Sequence, residues 1–410
     1  MQFSTMRIAW RNLGRNKKRT ALALLAIGVG QFALLASNGL MRGYADNIRL
    51  AITGPMVGHV QVHVPEWRKE RALDLYLDGV EGMLQEVRST EAVGSAAARI
   101  YAPALVAPEQ DAFIAIVVGL DVEVESEAYG LLSGLEEPIE SGKVLLGHRL
   151  AKKIAAEPGM EIAVVGQAAD GSLANDLYIV QDVIRSPADL INQSGVVMSL
   201  ADAQELLVMP DQAHELVIRA TQAGQAEAIA ERLSGLDVLA GADVEPWKEI
   251  VPELVVLLDM SDYVGYFVII IVFIAAVAGI ANTLMMATFE RMHEFGMLLA
   301  LGSRPGRLVR MIVIEAVLTG ILGVVIGTVL GYLFVAATAG SGIDMASWGG
   351  SGEVKDMAYQ GLNLPLQIYP RVEPSDSFLG LAAVVFTSLV ASVWPAVVAA
   401  RLEPMEAMRA

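Results

Sequence analysis

The stretch YVGYFVIIIVFIAAVAGIANTLMMATF, residues 263–289, holds no charged side chain, and it runs directly into ERMHEFGMLLALGSRPGRLVR, residues 290–310. An α-helix needs about 20 apolar residues to cross a hydrocarbon core about 30 Å thick. The first segment is therefore long enough to span a membrane. The second is short, basic and amphipathic. It is too brief to build a domain, and it has the character of a loop that a membrane protein offers to a partner in the cytoplasm.

Three more stretches lack charge: residues 20–41, 316–343 and 377–400. Each exceeds the spanning length, so four transmembrane helices are expected. The basic residues nearest the spans orient them. Arg7, Arg11, Arg15, Lys17, Lys18 and Arg19 precede the first span, and Arg291, Arg304, Arg307 and Arg310 follow the second. Both ends are assigned to the cytoplasm. The connection from 344 to 376 holds Lys355 and Arg371 against five acids and is assigned outside. The C-terminal tail then returns inside.

Residues 43–261 must form a large external domain. They carry 14 Lys or Arg against 35 Asp or Glu, a net of −21 beside −17 for the whole chain. So acidic a surface keeps a domain soluble and argues against nucleic-acid binding, which needs a basic face. There is no cysteine, so disulfides and thiolate chemistry are excluded. The first apolar run shows no trustworthy cleavage pattern and reads as a retained span. Before it, Ile8, Trp10 and Leu13 recur at helical spacing among the basic residues, as in an interfacial helix on the inner leaflet.

Within the external domain, alternation and β-branched runs predict strands at 59–64, 112–119, 143–146, 161–165, 177–183, 195–199 and 215–219. Helices are expected at 75–90, 148–156, 200–207 and 222–233. From 246 to 262 the chain turns amphipathic, with Trp247, Ile250, Leu254, Leu257 and Leu258 near 3.6-residue spacing. That segment predicts a stalk continuous with the second span. The fold class is thus an α-helical membrane protein with four transmembrane helices plus a large α+β extracytoplasmic domain between helices 1 and 2. The expected divisions are an interfacial helix (1–19), spans at 20–42, 263–289, 306–338 and 375–401, the external domain (43–261), a cytoplasmic loop (290–305), an external loop (339–374) and a cytoplasmic tail (402–410).

Catalytic motifs are scarce. No G-x-x-x-x-G-K-[ST] occurs in the 410 residues, so the chain is not expected to hydrolyse ATP itself, and no catalytic, cofactor or metal residue is assigned. His59 and His63 share a strand face, but spacing supplies no third ligand. Glu123, Glu125 and Glu127 read as a solvated acidic turn. Glu315 lies at the start of the third span, where a carboxylate is costly unless paired, with Arg307 or Arg310 as the expected partner. Gly320, Gly323, Gly327 and Gly331 form a stripe that permits close helix packing.

The segment ERMHEFGMLLALGSRPGRLVRMIVIEA, residues 290–316, closely resembles the cytoplasmic loop and third-helix start of the FtsX-like/MacB permease superfamily. RIAWRNLGRNKKRTALALLAIGVG near the N-terminus and the closing WPAVVAARLEPMEAMRA are similar to the family's first span and its ending. GHVQVHVPEW, VVGLDVEVESE and GKVLLGHRLAKKIAAEPGMEIAVVG look most like lipoprotein-releasing permeases of the LolC/LolE type. The resemblance implies a permease in the bacterial inner membrane that pairs with itself or a related chain and binds a cytoplasmic ABC ATPase dimer, which would hold ATP and Mg. It further implies a periplasmic carrier or adaptor and a lipid or lipoprotein substrate. Residues 294–301 would be the coupling helix. Phe295, Leu298 and Leu299 would offer the apolar face, and Glu290, Arg291, Glu294 and Arg304 the polar rim, with Leu301 and Gly302 in the family's A-L-G places. Regulatory FtsX-like mechanotransmission and MacB-like tripartite efflux are the alternative readings.

Overall fold

The computed structural model describes residues 14, 17–108, 111–127, 130–135, 137–345, 356–359, 362–365 and 367–401. The interfacial helix expected before residue 17 and the tail after 401 lie outside the described residues. The chain divides into two compact units, one made of 1–45, 258–345 and 367–410 and the other of 46–257 and 346–366.

Four helices are long and apolar enough to cross a membrane: α1 (Lys17–Thr53), α2 (Pro252–Glu290), α4 (Pro305–Thr338) and α5 (Pro374–Ala400), with the short α3 (Met292–Ala300) between α2 and α4. In the first unit, the glycine stripe of α4 decides how closely its neighbours approach. A Cβ on Gly323 would stand 2.7 Å from the Ile27 side chain, and one on Gly331 would stand 2.8 Å from Leu35; on Gly327 it would run into the Gly28 carbonyl of α1. One turn earlier, Gly320 faces Ser388 and Val384 of α5. With little hydrophobic drive between helices in lipid, this close backbone contact is what holds them. Polar pairs add to it: Gln31 reaches Thr328 at 3.3 Å, and Arg42 pairs with the buried Asp376 at 2.5 Å. Asp376 also closes a capping box with Glu373 at the start of α5.

The second unit is built on a nine-stranded sheet. Its strands are β1 (Val60–His63), β2 (Val93–Ala107), β3 (Phe113–Leu120), β4 (Lys143–Gly147), β5 (Glu161–Gln167), β6 (Leu173–Ile184), β7 (Gly195–Ser199), β8 (Glu215–Ala220) and β9 (Asp243–Pro246). They lie in the order β9-β1-β8-β2-β3-β7-β4-β6-β5, and residues 104–107 of β2 also pair with β5. Six strands, β2 to β7, therefore close on themselves, while the first half of β2 carries β8, β1 and β9 as a wing. Alternation along β3 puts Ile116, Val118 and Leu120 on one face, where they meet Leu131, Ala188 and Ile191.

Several sequence expectations need correction. The long β2 went unpredicted because GSAAA and Pro103 are poor strand formers, so its place comes from pairing. The helix expected from 75 begins only at Val80, because Gly79 takes a left-handed φ of 76° and Leu77–Asp78 pairs as a short strand with Gln212–Ala213. The stalk is not one helix. Trp247–Ile250 forms a single turn packed within the second unit, Val251 leaves helical geometry, and α2 starts afresh at Pro252. A proline disfavours helix in the residue before it and suits the first helical position, so the break falls where Pro252 sits. In the other direction, α1 outlasts its uncharged stretch by more than ten residues.

Gly327→Ala is expected to lower the apparent melting temperature of the detergent-solubilised chain by about 2 °C or more, because the new methyl meets backbone that cannot yield. Gly340→Ala, where a Cβ meets nothing within 4 Å, leaves it unchanged.

Candidate functional site

Between α2 and α4 the chain turns in a way that follows from its residues. Arg291 interrupts the helix, α3 occupies Met292–Ala300, and Gly302 closes it with a φ of 84°, its N–H and that of Ser303 donating to the carbonyls of Leu299 and Leu298. Arg304 and Pro305 then open α4. The buried Arg291 guanidinium donates to Glu315 Oε2 at 3.0 Å, so the loop's entry is tied to the first turns of α4. Phe295 is 3% exposed and packs with Leu308, Met311, Ile312 and Ala399.

This changes the composition of the surface expected from the sequence. Phe295 and Leu299 face inward, and Arg291 is spent on Glu315 rather than standing at a rim. Arg307 and Arg310, expected to answer Glu315, are exposed. Leu298 is 39% and Leu301 83% exposed, and Met297 joins them on the outward face. Positions 297, 298 and 301 fall on one side of a helix. Glu290, Gly302 and Arg304 are also exposed and Glu294 is half-buried. Of the predicted stalk residues, Trp247, Ile250 and Leu254 are buried, and Leu257 and Leu258 are half-buried.

The second unit holds a buried ionic cluster that the sequence did not disclose. Glu125, read as part of a solvated turn, is 0% exposed. It sits at the end of the single turn Val122–Glu125, between Arg99 of β2 and Arg219 of β8, each at 2.7 Å, and accepts from the Leu131 N–H at 2.9 Å. Both arginines carry on to the chain that follows α1. Arg99 donates to the carbonyls of Met56 and Pro55 at 2.5 and 2.6 Å, and Arg219 to that of Gly54 at 2.8 Å. Burial by itself would raise the Glu125 carboxyl, but Arg99 and Arg219 outweigh it and hold it below its ordinary value. The sequence signal was a single arginine within each of two mostly apolar strands.

Beside this cluster, burial lowers His214 to about 4, so its ring is neutral; Nδ1 accepts from the Tyr101 N–H at 3.0 Å, which leaves Nε2 to donate to the Leu73 carbonyl. His59 accepts from the Ala220 N–H through Nδ1, and His63 lies 3.5 Å from Glu245. Among the described residues no group of three or more His, Asp or Glu is placed to hold a metal ion.

Two family models match the chain in tandem. The MacB-like periplasmic core domain covers residues 20–236, more than half of the chain, and the FtsX-like permease C-terminal covers 266–404. The chain belongs to the MacB-like periplasmic core domain family. This MacB-like chain is 33% identical over 153 residues to the macrolide export ATP-binding/permease protein MacB of Sodalis glossinidius (strain morsitans), an alignment covering 35% of it and 19% of that protein. It is 42% identical over 66 residues to the ABC transporter permease YtrF of Bacillus subtilis (strain 168), covering 16% and 15%. The chain thus matches less than a fifth of the length of either relative. Among solved structures, the periplasmic region of MacB from Actinobacillus actinomycetemcomitans is similar with a TM-score of 0.35 and 10% identity, covering 48% of this chain and 94% of that one.

Glu125→Gln is expected to destabilise the second unit by about 3–5 kcal/mol, read as a fall in its melting temperature, because two buried guanidinium groups lose their counter-charge. The folded Glu125 pKa lies below its unfolded value, so its contribution is complete above that value and lost as pH falls through the folded one. His214 produces a separate slope. Its folded pKa is also depressed, and stability present above 6.5 drains as pH falls toward about 4. His214→Gln should flatten the melting temperature between those values.

Proposed function

We propose that the chain is the membrane-spanning permease of an ABC transporter of the FtsX/MacB type, driven by a cytoplasmic ATPase dimer that supplies the ATP and Mg chemistry. The observation that carries this reading is the exposed Met297, Leu298 and Leu301 face on a helix pinned from behind by Arg291–Glu315 and Phe295. An apolar helical face framed by Glu290 and Arg304 suits a groove on an ATPase, and the buried pair makes the loop stiff enough to transmit a push into α4.

In this reading the N- and C-termini face the cytoplasm of a bacterial inner membrane and the acidic second unit faces outward. The chain acts as a pair with itself or a related permease. The cargo is an amphiphile, a lipoprotein by the sequence resemblance, taken from the outer leaflet and handed to a carrier. The strongly apolar, outward-turned α2, with Tyr266, Phe267, Ile270 and Ile274 all exposed, supports a lipid-facing binding surface. A second reading, efflux of a small apolar compound through a separate adaptor, is favoured by the match to a macrolide exporter.

Co-purification with the ATPase tests the coupling face. Leu298→Asp and Leu301→Asp should each weaken ATPase association at least tenfold while leaving the permease's melting temperature unchanged, whereas Phe295→Asp should lower that temperature. Intact association in both surface variants would refute the assignment. Cargo is settled by which compound, lipoprotein or macrolide, stimulates hydrolysis in the reconstituted complex.

A further inference from the structure

A cleft of about 510 Å³ opens in the second unit beside the Glu125 cluster. That size is ordinary for a small-molecule site. Its apolar lining includes Met56, Val57, Ile116, Val118, Leu131 and Leu190. Most of this lining is apolar.

The charge of the polar lining groups runs against the surroundings. The domain carries 35 acids against 14 bases, yet the cleft is lined by three arginines, Arg68, Arg71 and Arg99, and one acid, Glu215. Two of those cations are already spent. Arg99 is answered by Glu125, and Arg68 by Glu245 at 2.7 Å and the Ile250 carbonyl. Arg71 is different. Its backbone is held left-handed at a φ of 51° by an N–H bond to the Trp67 carbonyl, and its exposed guanidinium lies 4.0 Å over the Trp67 ring. Trp67 in turn stacks on His214, with ring centroids 5.6 Å apart. Among the described residues Arg71 makes no ion pair or hydrogen bond through its side chain. Stacking restrains the guanidinium without neutralising it or using its donors. Glu215 shares the lining: burial raises that carboxyl against the pull of Arg99 and Arg71, and the Tyr101 hydroxyl donates to it at 3.1 Å.

We infer that this cleft binds a free, single-chain anionic amphiphile, its carboxylate or phosphate paired with Arg71 and its hydrocarbon lying along Ile116, Val118 and Leu190. A neutral apolar ligand would gain nothing from Arg71, and a small polar anion would leave the apolar lining uncovered. A two-chain phospholipid exceeds the cavity. Binding of this kind lies wholly within the second unit and stands whether or not the chain moves cargo.

Equilibrium dialysis of the full chain in amphipol against radiolabelled decanoate, with empty amphipol as the blank, provides the test. Saturable binding of one decanoate per chain is expected, displaced by decyl phosphate and not by decanol or dioleoyl phosphatidate. Arg71→Ala, at an exposed site, should weaken binding at least tenfold, and Arg71→Lys should restore most of it. Leu190→Asp, also at an exposed position (52%), should weaken it comparably by charging the apolar wall. Unchanged binding in Arg71→Ala, equal competition by decanol, or displacement by phosphatidate would each overturn the assignment.

Discussion

One carboxylate organises the second unit. Glu125 is wholly buried, and it makes the burial of Arg99 and Arg219 tolerable; those two arginines then hold the carbonyls of Gly54, Pro55 and Met56. The last carbonyls of a helix and the residues just beyond it lack intrahelical donors, and cations are favoured there by the helix dipole. The cluster satisfies these groups with side chains from β2 and β8, so the end of α1, the strand wing and the 122–131 turn share one network. Removing any member leaves the others charged and dry, which is why such networks are all-or-none. The same network forms one side of the cleft, since Met56 and Arg99 line it.

The first unit solves a different problem. In lipid, helices gain little from burying apolar surface against each other, so contact must come from shape. Gly323, Gly327 and Gly331 let α1 lie against α4, and a few buried polar pairs, Gln31–Thr328 and Arg42–Asp376, set the register. The Arg291–Glu315 pair belongs to the same class. Its effect on the loop is to turn Arg291 and Phe295 inward and leave Leu298 and Leu301 outward.

Legibility in the sequence was uneven for definable reasons. Span positions were readable because a charge-free run of more than about 20 residues is rarely tolerated in a helix that water can reach. The strands β3, β4, β5, β7 and β8 were readable from alternation or β-branched runs. The Ala-rich β2 was not, although it is the strand shared by the wing and the closed six-stranded ring. At the candidate coupling loop, the segment was identifiable from its motif, but which of its apolar residues faced outward was not. Nine helical residues between two longer helices have no periodicity long enough to separate a face packed on Leu308 and Ala399 from one left open.

Local sequence was enough for the number and place of the long apolar helices, the acidic insertion between the first two, and the likeness to a permease family, but the break at Pro252 was read through as a continuous stalk. Which charges are buried, which arginine is left unspent beside Trp67, and which leucines of the loop are exposed came from the folded chain alone. The physical reason is one of range. Charge-free length, proline and glycine act within a few residues and leave a local trace. Glu125 with Arg99 and Arg219, or Arg291 with Glu315, join residues 24 to 94 positions apart, and the energy of such pairs depends on burial that no local stretch encodes.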